Sequence, residues 1–314
     1  MPDRIIRNLE HNLGPQIMAA LDDDEIVEVM LNPDSTLWFE RMGKGMEQVG
    51  KMDSSQARIV LNVMASAKET VVTAENPVVE GELPIDGSRF EGLLPPIVKN
   101  PSFTIRKKAR QVFTLEQYIE NEIMPAAVRD IVHNAISSHQ NILIVGGTGS
   151  GKTTLVNGVI DAVSCLCPED RLIIIEDTGE LQSKSKNTVF LRATAFVTIQ
   201  MLVRATMRLR PDRILVGEVR GGEALDLLKS WNTGHPGGVA TVHANSAAGG
   251  LIRLEQLIAE ASVSPMQTLI GEAVNFVLYI ERAPQVGRVV KEVIRVNGFD
   301  PLTQQYKLEE LYHV

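Results

Sequence analysis

Asn141-Ile142-Leu143-Ile144-Val145-Gly146-Gly147-Thr148-Gly149-Ser150-Gly151-Lys152-Thr153-Thr154-Leu155-Val156 is the stretch on which the reading of this chain turns. The unbroken apolar run Ile142 to Val145 reads as a strand buried on both faces. The apolar spacing from Leu155 to Ile160 reads as a helix. Between them stands Gly-x-x-x-x-Gly-Lys-Thr, from Gly146 to Thr153. Glycines 146, 147, 149 and 151 let successive backbone N–H groups turn inward on phosphate oxygens, and the positive end of the following helix adds to the attraction. Lys152 is expected to reach the β and γ phosphates and Thr153 to offer its hydroxyl to Mg2+. Thr148, Ser150 and Thr154 complete the set expected to touch nucleotide. A chance glycine-rich loop would lack the strand and the helix in register on either side, so Mg-ATP binding is the first expectation.

A phosphate loop by itself implies binding, and hydrolysis needs carboxylates to order water and help hold the metal. Two strand ends offer them. Leu172-Ile173-Ile174-Ile175-Glu176-Asp177-Thr178-Gly179-Glu180 places Glu176 and Asp177 after an apolar run, and Arg213-Ile214-Leu215-Val216-Gly217-Glu218 does the same with Glu218. Ligands of open α/β sheets bind at such carboxyl ends. Either residue alone is as readily a surface acid, but two such strand ends downstream of a phosphate loop point to a site. His243 follows the apolar run Val239 to Val242. It is expected on the same rim, hydrogen-bonding phosphate or Glu218. The His235-x₇-His243 spacing is a poor metal signal, because no further ligands at suitable spacing accompany it. Arginines to neutralise phosphoryl charge are sought among Arg89, Arg106, Arg192, Arg204, Arg208, Arg210 and Arg220, each of which is otherwise a solvated surface charge.

The rest of the chain frames these motifs. Its 314 residues suffice for two domains, and 44% hydrophobic content with 22% charge suits packed cores. A net charge of -8 opposes diffuse attachment to nucleic acid or anionic lipid, and 4% aromatics argues against a base-stacking platform. No run of about 18 apolar residues is present, and the start, Met1 to Arg7, lacks a secretory signal, so a cytoplasmic location is expected. Cys165 and Cys167 are too close for an easy disulfide and too few for a structural zinc site; they read as reduced thiols near a helix end.

Residues 1 to 108 read as a smaller α+β domain. It has a polar start, strands at Ile26–Met30 and Leu37–Glu40 around the turn Asn32-Pro33-Asp34-Ser35, and a helix over Ser55–Ala67 with Ile59, Val60, Val63, Met64 and Ala67 as its apolar face. Tight-turned strands are expected between Gly81 and Pro96. The basic run Arg106-Lys107-Lys108-Ala109-Arg110 opens a linker over 109–120, in which Thr114 and Gln117 have the form of a capping box. From 121 to 314, apolar strands alternating with helices predict an α/β domain with a largely parallel sheet, extended by antiparallel strands after Ala273.

The segments Gly146–Thr153, Glu176–Leu181, Gly217-Glu218 and His243-Ala244-Asn245, in this order, resemble the Walker A, Asp box, Walker B and His box of the traffic ATPases of type II and type IV secretion and conjugation. Val29-Met30-Leu31-Asn32-Pro33-Asp34 and Asp86-Gly87-Ser88-Arg89-Phe90 look like the conjugal-transfer branch, the TrbB-type mating-pair-formation ATPases. Two cysteines cannot supply the four-cysteine zinc module usual in the type II branch. The resemblance implies a RecA-like ATPase domain in a hexameric ring and nucleotide held between the two domains. It also implies inner-membrane partners of a secretion apparatus and peripheral contact with the inner face of that membrane. It carries roles onto this chain: Lys152 and Thr153 on phosphates and Mg2+, Glu176 as general base, Glu218 at the metal, His243 as sensor, and Arg89 and Arg106 reaching the phosphates from the first domain. Glu218 stands where Walker B commonly has Asp, which leaves the division of labour between the two glutamates open. A RecA-like motor acting directly on DNA, a non-hydrolysing assembly scaffold and a small-molecule kinase are the other readings. The acidic charge, the few aromatics and the lack of an acceptor site count against the first and last.

Overall fold

The computed structural model describes residues 2–42, 44–108, 112–194, 196–283 and 287–314. It comprises two compact units, Met1–Arg110 and Gln111–Val314. Ala109 and Arg110, the end of the basic run, lie outside the described residues.

In the first unit, α1 (Pro2–Asp22) precedes β1 (Ile26–Leu31), β2 (Thr36–Arg41), β3 (Gly45–Lys51), α2 (Ser54–Ala67), β4 (Val78–Glu82), β5 (Arg89–Leu93) and β6 (Ser102–Arg106). The strands form an antiparallel sheet in the order β3-β2-β1-β6-β5-β4. The polar start is a helix because Leu9, Leu13, Ile17 and Leu21 recur every four residues and bury one stripe. Gly14, at φ 77, breaks that helix, and Pro15 restarts it where a missing N–H costs nothing. Asp53 caps α2 by accepting from Ser55 N. The buried face of α2 is Ala57, Val60, Leu61, Met64 and Ala65, so Ile59, expected on that face, lies outside it and is 45% exposed. The seam runs i, i+3, i+4, i+7, i+8 from residue 57, and Ile59 sits off it. These helices share one core with Val29, Phe39, Phe90 and Ile105 of the sheet.

The second unit opens with α3 (Leu115–Glu120), whose capping box between Thr114 and Gln117 is formed in both directions. It continues with α4 (Ala126–Ser137), β7 (Ile142–Gly146), α5 (Lys152–Leu166), β8 (Leu172–Glu176), β9 (Thr188–Arg192), α6 (Ile199–Thr206) and β10 (Arg213–Val216). Then follow α7 (Glu223–Asn232), β11 (Val239–His243), α8 (Ala247–Ala259), α9 (Gln267–Ala273), β12 (Phe276–Ala283), β13 (Gly287–Asp300) and β14 (Gln305–His313). The sheet order is β14-β13-β12-β7-β11-β10-β8-β9. Strands β12 to β9 in that order run parallel, and β13 and β14 add an antiparallel edge. The α/β class, the largely parallel sheet and the smaller α+β unit before it are as the sequence predicts.

Successive strand residues serve opposite cores, which is why the strands read as continuous apolar runs. Leu143, Val145, Ile173, Ile175 and Val216 pack with α6 to α9, while Ile142, Ile144, Leu172, Ile174 and Leu215 pack with α3 to α5. Gly158 of α5 admits the segment before α3, since a Cβ there would meet Phe113 O at 2.8 Å.

At the amino-terminal end of β10 the fully buried Arg213 gathers three segments. It donates to Asp170 at 2.5 Å, to the carbonyls of Ile136 at 2.8 Å and Gly237 at 3.2 Å, and to Cys167 Sγ at 3.1 Å. Cys165 and Cys167 are free thiols at the end of α5. Removing the guanidinium leaves the Asp170 carboxylate without its principal partner, so Arg213→Ala is expected to lower the unfolding free energy by about 3–5 kcal/mol, read by urea denaturation.

Candidate nucleotide site

Because β7, β11, β10 and β8 are parallel neighbours, their carboxyl ends line one edge of the sheet. The register sets His243, the last residue of β11, opposite Gly146, the last residue of β7. Glu176 ends β8, and Glu218 lies two residues beyond β10. Thr241 Oγ1 donates to Gly217 O at 2.7 Å and Val219 N to Thr241 O at 2.9 Å, which fastens the Glu218 turn to β11.

The loop after β7 has a closed side and an open side. A Cβ at Gly146 would lie 2.3 Å from Ile280 O and 2.5 Å from Ser150 Oγ, so only glycine fits there. Around Gly147 and Gly149 nothing lies within 4 Å of such a Cβ. Thr148 and Gly149 are exposed, and Thr153 and Thr154 half-buried in the first turn of α5. Ser150 Oγ is buried with no hydrogen-bond partner among the described residues. The Lys152 ammonium donates to Gly146 O at 2.9 Å and Gly147 O at 2.8 Å.

From Lys152 a chain of polar contacts crosses the strand ends. Its Nζ is 3.3 Å from His243 Nδ1, and His243 Nε2 is 2.8 Å from Glu218 Oε1. Glu218 Oε2 accepts from Arg220 at 2.5 Å, and Arg220 donates on to Asp177 Oδ2 at 2.7 Å. Glu223 holds the turn by accepting from the backbone N–H groups of Arg220 and Gly221. Burial holds the Lys152 ammonium below the usual lysine range; the Glu218 carboxylate opposes this and the Arg220 guanidinium adds to it. Burial likewise holds the His243 ring below the ordinary histidine value, with Lys152 and Arg220 acting in the same direction and Glu218 against them. The Arg220 guanidinium is held charged chiefly by its hydrogen bond to Glu218.

Glu176 is nearly fully buried and its Oε2 accepts from Glu180 N at 2.9 Å and Leu181 N at 3.0 Å. The segment beyond it is laid along α5. Asn157 donates to Glu180 O at 3.0 Å and accepts from Gln182 N at 2.9 Å, and Lys184 pairs with Asp161 at 2.6 Å. Asn157 lies on the apolar stripe of α5, and its polarity there was the one signal available in the sequence. The Asp177–Arg220 bridge left none, since it depends on which strand neighbours which.

The arginines separate. Arg220 joins the Glu218 cluster, whereas Arg204 pairs with Asp226 of α7 at 3.0 Å. Arg208 and Arg210 precede β10, at the end of the strand away from Glu218. Arg192 ends β9 in register with Glu176. In the first unit Arg89 and Arg106 face each other on β5 and β6, and Arg106 pairs with Glu28. His235 binds Pro211 O at 3.0 Å before β11 begins, while His243 ends that strand, so the two rings lie at opposite ends and cannot share an ion.

A family model described as type II/IV secretion system protein matches residues 12–292. The chain belongs to that family. It is 52% identical to the probable conjugal transfer protein TrbB of Sinorhizobium fredii, over 94% of this chain and 91% of the relative. It is 49% identical to the conjugal transfer protein TrbB of Rhizobium radiobacter, over 99% and 97%. Among solved structures it resembles the VirB11 ATPase of the Brucella suis type IV secretion system, crystallised with sulphate. That match has 26% identity and a TM-score of 0.50, covering 96% of this chain and 97% of the other. The names of these relatives agree with the resemblance to the conjugal-transfer branch.

His243 supplies a test of the polar chain. Its ring is expected to titrate below 6.5 in NMR spectra, with Glu218→Gln lowering the midpoint further and Lys152→Ala raising it. A depressed folded-state value means the unfolded chain binds the proton more readily. The ring's contribution to stability is therefore present above pH 6.5 and lost as pH falls through the folded value, a dependence that His243→Ala removes.

Proposed function

We propose that the chain is a Mg2+-dependent ATP phosphohydrolase that drives a type IV secretion or conjugative transfer apparatus as a hexameric ring. The observation that carries this reading is the contact chain Lys152–His243–Glu218–Arg220–Asp177, which joins the phosphate loop to two carboxylates at the strand ends. Gly146 to Thr154 hold the phosphates, with the open faces of Gly147 and Gly149 admitting the backbone approach that phosphate oxygens require. On binding, Lys152 exchanges the carbonyls of Gly146 and Gly147 for phosphate oxygens.

Thr153 and Glu218 would be the metal's protein donors. Among the described residues no cluster of three or more His, Cys, Asp or Glu is spaced to hold an ion by itself. Two oxygen donors fit Mg2+, which takes one or two protein groups and completes its shell with phosphate and water. When bound, the ion neutralises charge developing on the transferring phosphoryl group.

Glu176 is assigned as general base, its carboxylate aimed by the two backbone N–H groups of residues 180 and 181. Glu218 would hold the ion while keeping its bond to His243, whose ring also contacts Lys152 of the phosphate loop. Arg89 and Arg106 are assigned to phosphate charge from the first unit, and the units Met1–Arg110 and Gln111–Val314 to the two domains of the motor. Partners are five further copies of the chain and inner-membrane components of the apparatus. No helix among the described residues is long and apolar enough to cross a membrane, which suits peripheral attachment at the inner face. The acidic charge weighs against a motor that grips DNA itself.

Phosphate release and nucleotide binding, measured together, test the assignment. Lys152→Ala is expected to lose ATP binding, whereas Glu176→Gln keeps it and releases phosphate on the order of a hundredfold more slowly. No release by the wild type would support the scaffold reading instead. Light scattering after size exclusion, with and without ATP, is expected to find a hexamer; a persistent monomer would overturn the ring.

A further inference from the structure

The loop motif explains Gly151 by its closeness to phosphate, and the fold adds a second neighbour. Gly151 is the N-cap of α5 at φ 101, and a Cβ built on it would lie 2.8 Å from Cδ and 3.1 Å from Nε of Arg288. Arg288 is an exposed residue of β13, facing Arg282 across the β12–β13 hairpin. Backbone packing carries that hairpin to the loop. Ile280 of β12 sets its carbonyl against Gly146, and its Cδ1 would be 3.6 Å from the Cβ of a residue at 151. The guanidinium is also within electrostatic reach of the buried Tyr118, where it opposes the upward shift that burial imposes on the phenol.

A long arginine resting on apolar surface is the ordinary explanation for such a contact. At this place, however, the amino-terminal end of α5 carries the positive end of the helix dipole and the Lys152 ammonium, and an arginine resting on Gly151 adds a further positive group at the end of the helix where phosphate oxygens bind. No motif position in the loop demands Arg288.

We infer that Arg288 is a nucleotide-binding residue, whose guanidinium adds to the phosphate loop an anion-binding group acting on the diphosphate portion shared by ADP and ATP. This rests on the nucleotide reading above. It makes β13, far along the chain from the loop, part of the binding site.

Calorimetric titration of ADP in Mg2+ buffer into the full chain tests it, using wild type, Lys152→Ala, Arg288→Ala and Arg288→Lys. Loss of one charge-assisted contact predicts a Kd for Arg288→Ala raised about tenfold, with Arg288→Lys recovering part of the loss. The Tm without nucleotide is expected to match wild type, and the rise in Tm on adding ADP to shrink. Wild-type affinity in Arg288→Ala, beside lost affinity in Lys152→Ala, would overturn the role of Arg288 and leave the nucleotide reading standing. Equal weakening in the Ala and Lys variants would overturn the assignment to charge. A wild type that binds no ADP would remove both.

Discussion

The parallel ladder between β7 and β11, which sets Gly146 opposite His243, is the constraint on which the site depends. It brings the last residue of the central strand, where the phosphate loop begins, beside the last residue of a strand almost a hundred positions later. With β10 and β8 continuing the same parallel array, Glu218 and Glu176 come to the same edge. A parallel sheet concentrates the carboxyl ends of its strands on one side, and the polar groups that cannot enter the apolar layers accumulate there. The two cores, one on each face, hold the strands in that arrangement, since a slip of one residue would exchange the side chains of the two faces.

Electrostatics at this edge are tightly balanced. Lys152 abuts His243, and Glu218 stands between His243 and Arg220, which pairs on to Asp177.

The Walker A stretch was legible because its glycines, lysine and threonine must be consecutive to wrap a phosphate, and its strand and helix flank it directly. The apolar runs of β7, β8, β10 and β11 were legible for a similar reason, since burial on both faces leaves no polar alternation, whereas β12, expected among the added antiparallel strands, lies parallel to β7 because the chain crosses over through α8 and α9 before it. The helix α1 was not, because Gly14 and Pro15 interrupt its apolar stripe and polar residues fill much of its first half. Ile59 misled for the opposite reason: an apolar residue two positions off a helical seam faces water.

By itself the sequence determined the phosphate loop, the α/β class, the acidic strand ends and the family these spell, because each rests on residues adjacent in the chain or on a short period. Tertiary structure alone decided which strand ends touch, that Arg220 bridges Glu218 and Asp177, that Glu176 anchors the segment beyond it, and that Arg288 rests on Gly151. Those contacts join residues brought together by strand order and register, and strand order follows from how two apolar layers close over a sheet, which no local pattern of residues records.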